Sequence, residues 1–302
     1  MLQLSDALLG TILATVASLM FAFQYLFVRL GTQKGSVTDV VFVTLLSNVV
    51  LLIPPAVLLY DISAMSTEAI AAFAAAGLSG SLFARIFSFS SIQRIGANRT
   101  SPIVSANALF ATLLAVLVLG ESLTPFHLVG VVLIVAGIAV ISYQTEESMA
   151  LEVSRRDLAL LMTLPILAAV FLGIEPIFVS IALAEGGSIL PGSAIVVTTA
   201  FAGFAVYTGV TSGLPSPSIA REPYAKWYLG AGVATTLGLV AAFSALETAP
   251  VVIAVPLIQT SPLIVVGLSS VFLSSKLEEV TPLIVVSTVM IIVGATVVSL
   301  SG

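Results

Sequence analysis

Residues 97–142 read ANRTSPIVSANALFATLLAVLVLGESLTPFHLVGVVLIVAGIAVIS, and this stretch decides the fold class. Two apolar runs flank a short polar turn, GESLTP, at 120–125. Each run has roughly 18–22 residues, which at about 1.5 Å per residue is enough to cross a bilayer core as an α-helix. Pro125 suits the first turn of the second helix, because the N–H that proline lacks would have no partner there. The stretch therefore predicts two consecutive membrane-spanning helices.

A similar stretch occupies residues 249–299, near the C-terminus. A shift of 154 positions, followed by one of 157 after a short insertion, aligns the two stretches. The informative matches are Pro102 with Pro256, Thr124-Pro125 with Thr281-Pro282, and Gly137 with Gly294. Matches of leucine and valine carry little weight in so apolar a chain, whereas paired proline and glycine positions are uncommon. We interpret the pattern as an internal duplication, as in many transporters.

The composition is that of an integral membrane protein. Of 302 residues, 59% are hydrophobic and only 8% are charged, and the mean hydropathy is +1.19. Soluble domains carry about 25% charged residues, so a soluble globule of this composition would lack polar surface. The N-terminus lacks a basic region before its long first apolar run, so we expect a retained helix and not a cleaved signal peptide.

The residues needed for enzyme or cofactor chemistry are scarce. The chain has no cysteine, which excludes disulfides and thiolate ligands, and a single histidine does not make a typical zinc site. No phosphate-binding or nucleophile motif is visible. We therefore expect no enzyme activity, no cofactor, no metal and no nucleic-acid partner. The expected partners are a small-molecule solute and the lipid bilayer, and the sequence leaves the oligomeric state open.

Apolar segments separated by turn signals predict an all-α membrane protein with ten spans. Proline should kink the second span at Pro54-Pro55 and break the sixth at Pro165 and Pro176. Because five is an odd number, two similar five-helix halves must have opposite orientations, which predicts an inverted repeat. We expect repeats at 1–143 and 158–302, joined by a polar linker at 144–157. The ten spans lie near 7–28, 39–60, 68–91, 98–119, 126–143, 158–182, 190–211, 225–247, 251–273 and 282–300.

The basic residues predict the orientation. Nine of the ten lie in loops after odd-numbered spans, and the loops after even-numbered spans have none: the nine are Arg29, Lys34, Arg94, Arg99, Arg155, Arg156, Arg221, Lys226 and Lys276. Lys and Arg are retained on the cytoplasmic side. The protein should therefore lie in the cell (inner) membrane with its odd-numbered loops in the cytoplasm and both termini outside.

The ten-span layout, the duplicated block and the string Leu119-Gly120-Glu121-Ser122-Leu123-Thr124 together resemble the drug/metabolite transporter superfamily, in its EamA-type branch with two five-helix repeats. The corresponding string in the second half, LSSKL at 273–277, lacks the Gly-Glu pair. The resemblance implies a carrier for amino acids, metabolites or xenobiotics, often an exporter. It also implies cytoplasmic termini, which conflicts with the distribution of basic residues.

Polar side chains inside spans are candidates for a solute site, because they are expensive in a membrane. Asn48, Asn107 and Gln259 lie about 14–15 Å into their spans, near the midplane. Three amides at one depth would supply donors and acceptors to a small polar ligand. The alternative is that each amide merely joins neighbouring helices, at about 0.6 kcal/mol per hydrogen bond.

Three further residues complete the candidates. Arg85 either attracts an anionic or zwitterionic solute or extends to the cytoplasmic boundary, and Gln24 should lie at a similar depth. Glu175 is a candidate for a coupling proton or cation, or else a carboxylate at the outer rim. Counting residues along the spans places Arg85 and Glu175 toward opposite faces, so we expect no direct pair.

These features predict a secondary transporter that moves small metabolites, amino acids or related zwitterions, by alternating access around a midplane cavity, with export as the direction. Proton-coupled multidrug efflux is an alternative. A non-transporting scaffold or sensor is another, and it predicts amides buried in helix contacts without a hydrated cavity. A membrane enzyme would need titratable side chains converging at one depth.

Overall fold

The computed structural model describes residues 6–60, 65–114, 117, 125–149, 155–211, 213–248, 257–258, 260–274 and 280–300. These residues form helices and the turns between them, with no strand among them. A π-helical segment, Gly77–Ala84, joins α3 to α4, and a 3-10 helix, Pro217–Arg221, precedes α10. The α-helices are α1 Asp6–Gly31, α2 Val37–Leu59, α3 Thr67–Ala76, α4 Arg85–Ile95, α5 Ala97–Ser105, α6 Asn107–Leu114, α7 Pro125–Met149, α8 Arg155–Ala184, α9 Ile189–Thr211, α10 Ala225–Thr248, α11 Ser261–Phe272 and α12 Pro282–Leu300.

Six helical stretches in this part of the chain are long and apolar enough to cross a membrane. They are Leu9–Gly31, Val37–Leu59, Thr67–Ile95, Ala159–Ala184, Ile189–Thr211 and Ala225–Ala245. Shorter apolar helices lie at Leu128–Ile141, Ser261–Phe272 and Pro282–Val297. The protein is therefore an all-helical, multi-pass membrane protein, and the total of ten spans stays a prediction.

The break expected in the sixth span was wrong, since α8 runs without interruption through Pro165 and Pro176. α2 also runs through Pro54 and Pro55, and the kink expected there stays a prediction. α8 packs against α3, α4 and α6, so contacts on several sides hold the helix where the prolines remove backbone hydrogen bonds. In addition, α7 continues to Met149 and α8 starts at Arg155, so most of the expected linker at 144–157 is helical.

The fourth predicted span is broken at Ala106, between α5 and α6, and the same break recurs at Thr260, before α11. Each break carries the same pair of short-range backbone hydrogen bonds, 3.1 Å before the turn and 3.0 Å after it. In each bond a backbone N–H donates to the carbonyl oxygen three residues earlier. At the first break the donors are Ala106 and Leu109, and at the second they are Thr260 and Leu263. The two sets are related by the shift of 154 that aligns the sequences.

Helices from the first part of the chain pack mainly against helices from the second. α1 lies along α10, α3 and α4 lie along α8, and α7 lies along α12. α2 contacts both α9 and α10, whereas α9 contacts the π-helical segment and α3. Exchanging the first five predicted spans with the last five reproduces this set of neighbours.

The pairing of α7 with α12 is close because each helix has a glycine at the crossing. A Cβ added to Gly137 would lie 2.5 Å from Ile291, and a Cβ added to Gly294 would lie 2.9 Å from Ile134. Both the glycines and the isoleucines are 157 positions apart. The contact is therefore reciprocal, with one glycine and one isoleucine from each helix.

We expect Gly137→Ala and Gly294→Ala each to lower the free energy of unfolding by about 1–2 kcal/mol, because the new methyl group overpacks the crossing. Thermal unfolding of the purified protein in detergent measures the effect. Gly267→Ala in α11 is the matched control, since a Cβ there meets nothing within 4 Å. Equal unfolding temperatures for all three variants would contradict the close crossing.

Candidate solute-binding site

A cavity of about 160 Å³ lies inside the helix bundle. Its wall carries two charged side chains, Arg85 and Glu175, and two amides, Gln24 and Asn107. Hydroxyl groups complete the polar lining, and they include Tyr25, Ser81, Ser88, Ser101 and Ser105. Such a cavity, with mixed donors and acceptors and charges of both signs, is suited to a small polar solute.

Arg85 is the first residue of α4, directly after the π-helical segment, and only 7% of its surface is exposed. Its Nη1 donates a hydrogen bond of 2.7 Å to Oδ1 of Asn48. Arg85 is also one of the residues that line the cavity. A bond from a charged donor to an amide oxygen is stronger than one between neutral groups, so Asn48 fixes one edge of the guanidinium.

Asn48 is itself completely buried and is held by α10. Its Nδ2 donates hydrogen bonds to the carbonyl oxygen of Gly232 at 3.0 Å and to the hydroxyl of Thr236 at 2.6 Å. Gly232 permits this approach, because a Cβ at that position would lie 2.6 Å from Cβ of Ser47. Asn48 therefore joins α2, α4 and α10.

Glu175, on α8, faces the π-helical segment. Its carboxylate rests against Gly80, where a Cβ would lie 2.2 Å from the carboxyl carbon. The hydroxyl of Ser81 is placed to donate to this carboxylate, and Arg85 is close enough to attract it. Oε1 of Glu175 is buried and has no hydrogen-bond partner among the described residues. An acceptor in this state needs a donor from a ligand or from water.

The π-helical segment brings Gly80, Ser81 and Arg85 to the cavity. π-helical turns are rare, and they occur often at functional sites, because the extra residue per turn changes which side chains face a neighbour. Here the turn places a glycine against Glu175 and a cation one turn further along.

The break at Ala106 also borders the cavity. Ser105 ends α5, Asn107 begins α6, and both line the cavity. Ser101, one turn earlier, also lines it, and its hydroxyl is buried without a partner among the described residues. Interrupted helices in membranes are tolerated where they line a cavity, and solute sites of transporters are often built from them.

The structure thus brings together four of the six candidate residues: Gln24, Arg85, Asn107 and Glu175 all line one cavity. Asn48 does not line it, because its amide is used by α10 and Arg85. Gln259 lies outside the described residues.

The separation expected between Arg85 and Glu175 was wrong. The helices that carry them extend beyond the predicted spans, since the third reaches Ile95 and α8 reaches Ala184. Each residue therefore lies about ten residues from the nearer end of its helix. Counting depth within single spans also ignored the offset between neighbouring helices, which sets Glu175 against Gly80.

The hydroxyl lining was missed. Ser81, Arg85 and Ser88 are four and three residues apart, which is typical of one helix face, and Ser101 and Ser105 repeat the spacing of four. This spacing could have been used to predict the hydroxyl lining. No sequence pattern marks Tyr25, whose hydroxyl is 3.5 Å from that of Ser88, because an aromatic residue in an apolar span is ordinary.

Comparison with known proteins gives a family match over the first part of the chain. Residues 8–143, a little under half of the chain, match the EamA-like transporter family, which lies within the drug/metabolite transporter superfamily. The resemblance found in the sequence is thereby confirmed over this segment, which contains Gln24, Arg85 and Asn107.

The fold of the chain is similar to one seen by crystallography. A solved chain titled only as the crystal structure of a protein is 14% identical, with a TM-score of 0.66 over 96% of both chains. At this identity the likeness shows the fold alone. No curated protein matches the sequence.

The contact of Gly80 with Glu175 can be tested by a double-mutant cycle. We expect Gly80→Ala to lower the free energy of unfolding by about 1 kcal/mol, because the methyl group displaces the carboxylate from Ser81 and Arg85. In a Glu175→Ala background the same change should cost almost nothing. Thermal unfolding of the four proteins gives the coupling, and the same cost in both backgrounds would disprove the contact.

Proposed function

We propose that this protein is a secondary transporter that exports small polar metabolites, amino acids or related zwitterions, by alternating access to the cavity. The observation that carries the proposal is the placement of Arg85 and Glu175 on the wall of one cavity. Ionisable groups within a membrane bundle are costly and occur mainly at sites of solute or ion passage. A guanidinium and a carboxylate together match the two charges of a zwitterion.

The size of the cavity supports a small solute. A dry cavity of 150 Å³ in another protein accommodates benzene, and the cavity here, at 160 Å³, is comparable. Apolar side chains, among them Phe21 and Leu172, form part of the wall and would contact the carbon atoms of a solute. This volume argues against multi-ring drugs, and therefore against multidrug efflux, in the conformation described.

We further propose that the chain folds as two inverted five-helix repeats, 1–143 and 158–302, within a ten-span layout. The shared breaks at Ala106 and Thr260 and the reciprocal contacts of Gly137 and Gly294 support the duplication. Five spans per repeat make the second repeat enter the membrane in the opposite direction. Alternating access then exchanges the conformations of two similar halves around the cavity.

The proposed orientation has the odd-numbered loops in the cytoplasm and both termini outside, in the cell membrane. Contacts between loops support the two sides: Gln93 donates to the carbonyl of Gly35 at 3.3 Å, joining loops one and three. Ser66 donates to the carbonyl of Glu185 at 2.9 Å, joining loops two and six.

Cysteines introduced at Gln33 and Glu185 should react with a membrane-impermeant thiol reagent from opposite faces of the membrane. Reaction of both cysteines from the same face would contradict the proposed layout.

A scaffold or sensor without transport is the main rival from another class. It is disfavoured because a bundle built only for support would be expected to fill its centre with apolar side chains. A membrane enzyme is disfavoured by the family, which is one of transporters.

Arg85→Gln and Asn107→Ala should each reduce solute flux at least tenfold while leaving membrane insertion intact, because one removes the positive charge and the other an amide from the cavity. Efflux and uptake of a panel of radiolabelled amino acids in proteoliposomes measure the flux. Arg94→Gln is the matched control, since Arg94 lies exposed at the end of α4. Undiminished flux in both cavity variants would remove these residues from the mechanism.

Glu175 is proposed as the coupling group, because it lines the cavity and one of its carboxylate oxygens has no hydrogen-bond partner among the described residues. An imposed pH gradient should accelerate flux severalfold in the parent protein, and Glu175→Gln should abolish this response while retaining solute exchange at equal pH. The exposed Glu185→Gln is the control. Two results would exclude proton coupling through this residue: a flux in the parent protein that is the same with and without the pH gradient, or a flux in Glu175→Gln that still increases with the gradient.

A further inference from the structure

Asn48 lies behind the wall of the cavity, and Arg85 is the hydrogen-bond partner that connects it to that wall. Among the five candidates that the structure describes it is the most deeply buried, with none of its surface exposed, and it is absent from the cavity lining. A role in solute handling must therefore be exerted through the guanidinium group that it holds.

The orientation of the Asn48 amide is determined by α10. Only the NH₂ group can donate to the carbonyl oxygen of Gly232 and approach the hydroxyl of Thr236, so the amide oxygen must point to Arg85. Thr236 is in turn bonded to the carbonyl of Gly232 at 3.0 Å. The amide is thus a rigid acceptor placed by two helices.

This acceptor prevents a competing arrangement. Arg85 and Glu175 line the same cavity, and Glu175 has an oxygen without a partner. Without Asn48, the flexible arginine side chain would be drawn onto that oxygen and would form an ion pair, because opposite charges attract strongly where water is scarce. The pair would neutralise the cavity.

We propose that Asn48 is a positioning residue that holds Arg85 away from Glu175, so that the cavity presents a positive edge to an anionic group and a separate carboxylate to a cationic one. Its contribution to transport rests on the proposed function, whereas its effect on the charge of the cavity does not. The two can therefore fail separately.

The test uses the absence of cysteine from the chain. Ser88→Cys introduces one thiol on the cavity wall, three residues beyond Arg85 on the same helix and therefore next to it. The purified full-length protein is treated with the anionic sulfonatoethyl and the cationic trimethylammonioethyl methanethiosulfonate. The ratio of the two reaction rates reports the electrostatic potential beside Arg85.

Arg85→Gln sets the reference and should lower the anion-to-cation ratio by roughly tenfold. Asn48→Ala should lower it by a similar factor, because Arg85 then pairs with Glu175. Asn48→Leu is close to the native side chain in size and serves if Asn48→Ala does not fold, since it removes the acceptor for Arg85 without adding a charge. Thr236→Val should have a smaller effect, because the carbonyl of Gly232 still holds the amide.

Thr208→Val is the control for the loss of a buried hydroxyl, since Thr208 is fully buried in α9 and bonds only within its own helix. It should leave the ratio unchanged. A parent ratio retained by Asn48→Ala or Asn48→Leu, beside a lowered ratio in Arg85→Gln, would assign Asn48 a structural role only. An unchanged ratio in Arg85→Gln, or a thiol that reacts with neither reagent, would also overturn the proposal.

Discussion

A positive charge inside an apolar helix bundle must be compensated, and the arrangement around Arg85 meets this constraint. Burying an isolated ion costs several kcal/mol, and hydrogen bonds and opposite charge offset that cost only when the geometry is good. The amide of Asn48 supplies the hydrogen bond, and Glu175 supplies the opposite charge across the cavity. The compensation is incomplete, because Oε1 of Glu175 is buried without a hydrogen-bond partner among the described residues. That deficit is what a polar solute would fill.

The first and second parts of the chain contribute different groups to this arrangement. Their backbones share the breaks at Ala106 and Thr260, and the glycine contacts between α7 and α12 are reciprocal. The charged pair has no such symmetry. A shift of 155 positions relates Gly77, which packs on α9, to Gly232, which packs on α2. The same shift pairs Arg85 with the uncharged Val240, so the positive charge comes from the first part of the chain alone, and Glu175 comes from the second.

Much of the fold could be predicted from the sequence, and the reasons are physical. A bilayer demands long apolar helices, so hydrophobic runs mark them, and Gly137 and Gly294 stood out because helices cross closely only at small residues. The broken fourth span was missed, because Ala106 is compatible with a helix. Pro165 and Pro176 led to the wrong prediction of a helix break, because the contacts of α8 with neighbouring helices outweigh the local preference of proline against a helix.

The candidate site was predicted in its residue types more than in its geometry. Intramembrane polarity was enough to select Arg85, Glu175, Asn107 and Gln24. It was not enough to distinguish side chains that line the cavity from side chains that hold the lining residues in place. Asn48 was therefore expected in the cavity, and it lies behind the cavity wall. Which side of a helix faces a cavity depends on contacts between helices, and a sequence pattern along one span does not contain them.

The most direct measurement is the unfolding temperature of the purified protein in the presence of small solutes. A ligand that binds the folded state raises this temperature in proportion to the logarithm of its concentration above Kd. Amino acids should stabilise the parent protein, the corresponding amines and carboxylic acids should do so less, and Arg85→Gln and Glu175→Gln should lose the effect. Stabilisation by no zwitterion, or equal stabilisation of parent and both variants, would contradict a solute site between these two side chains.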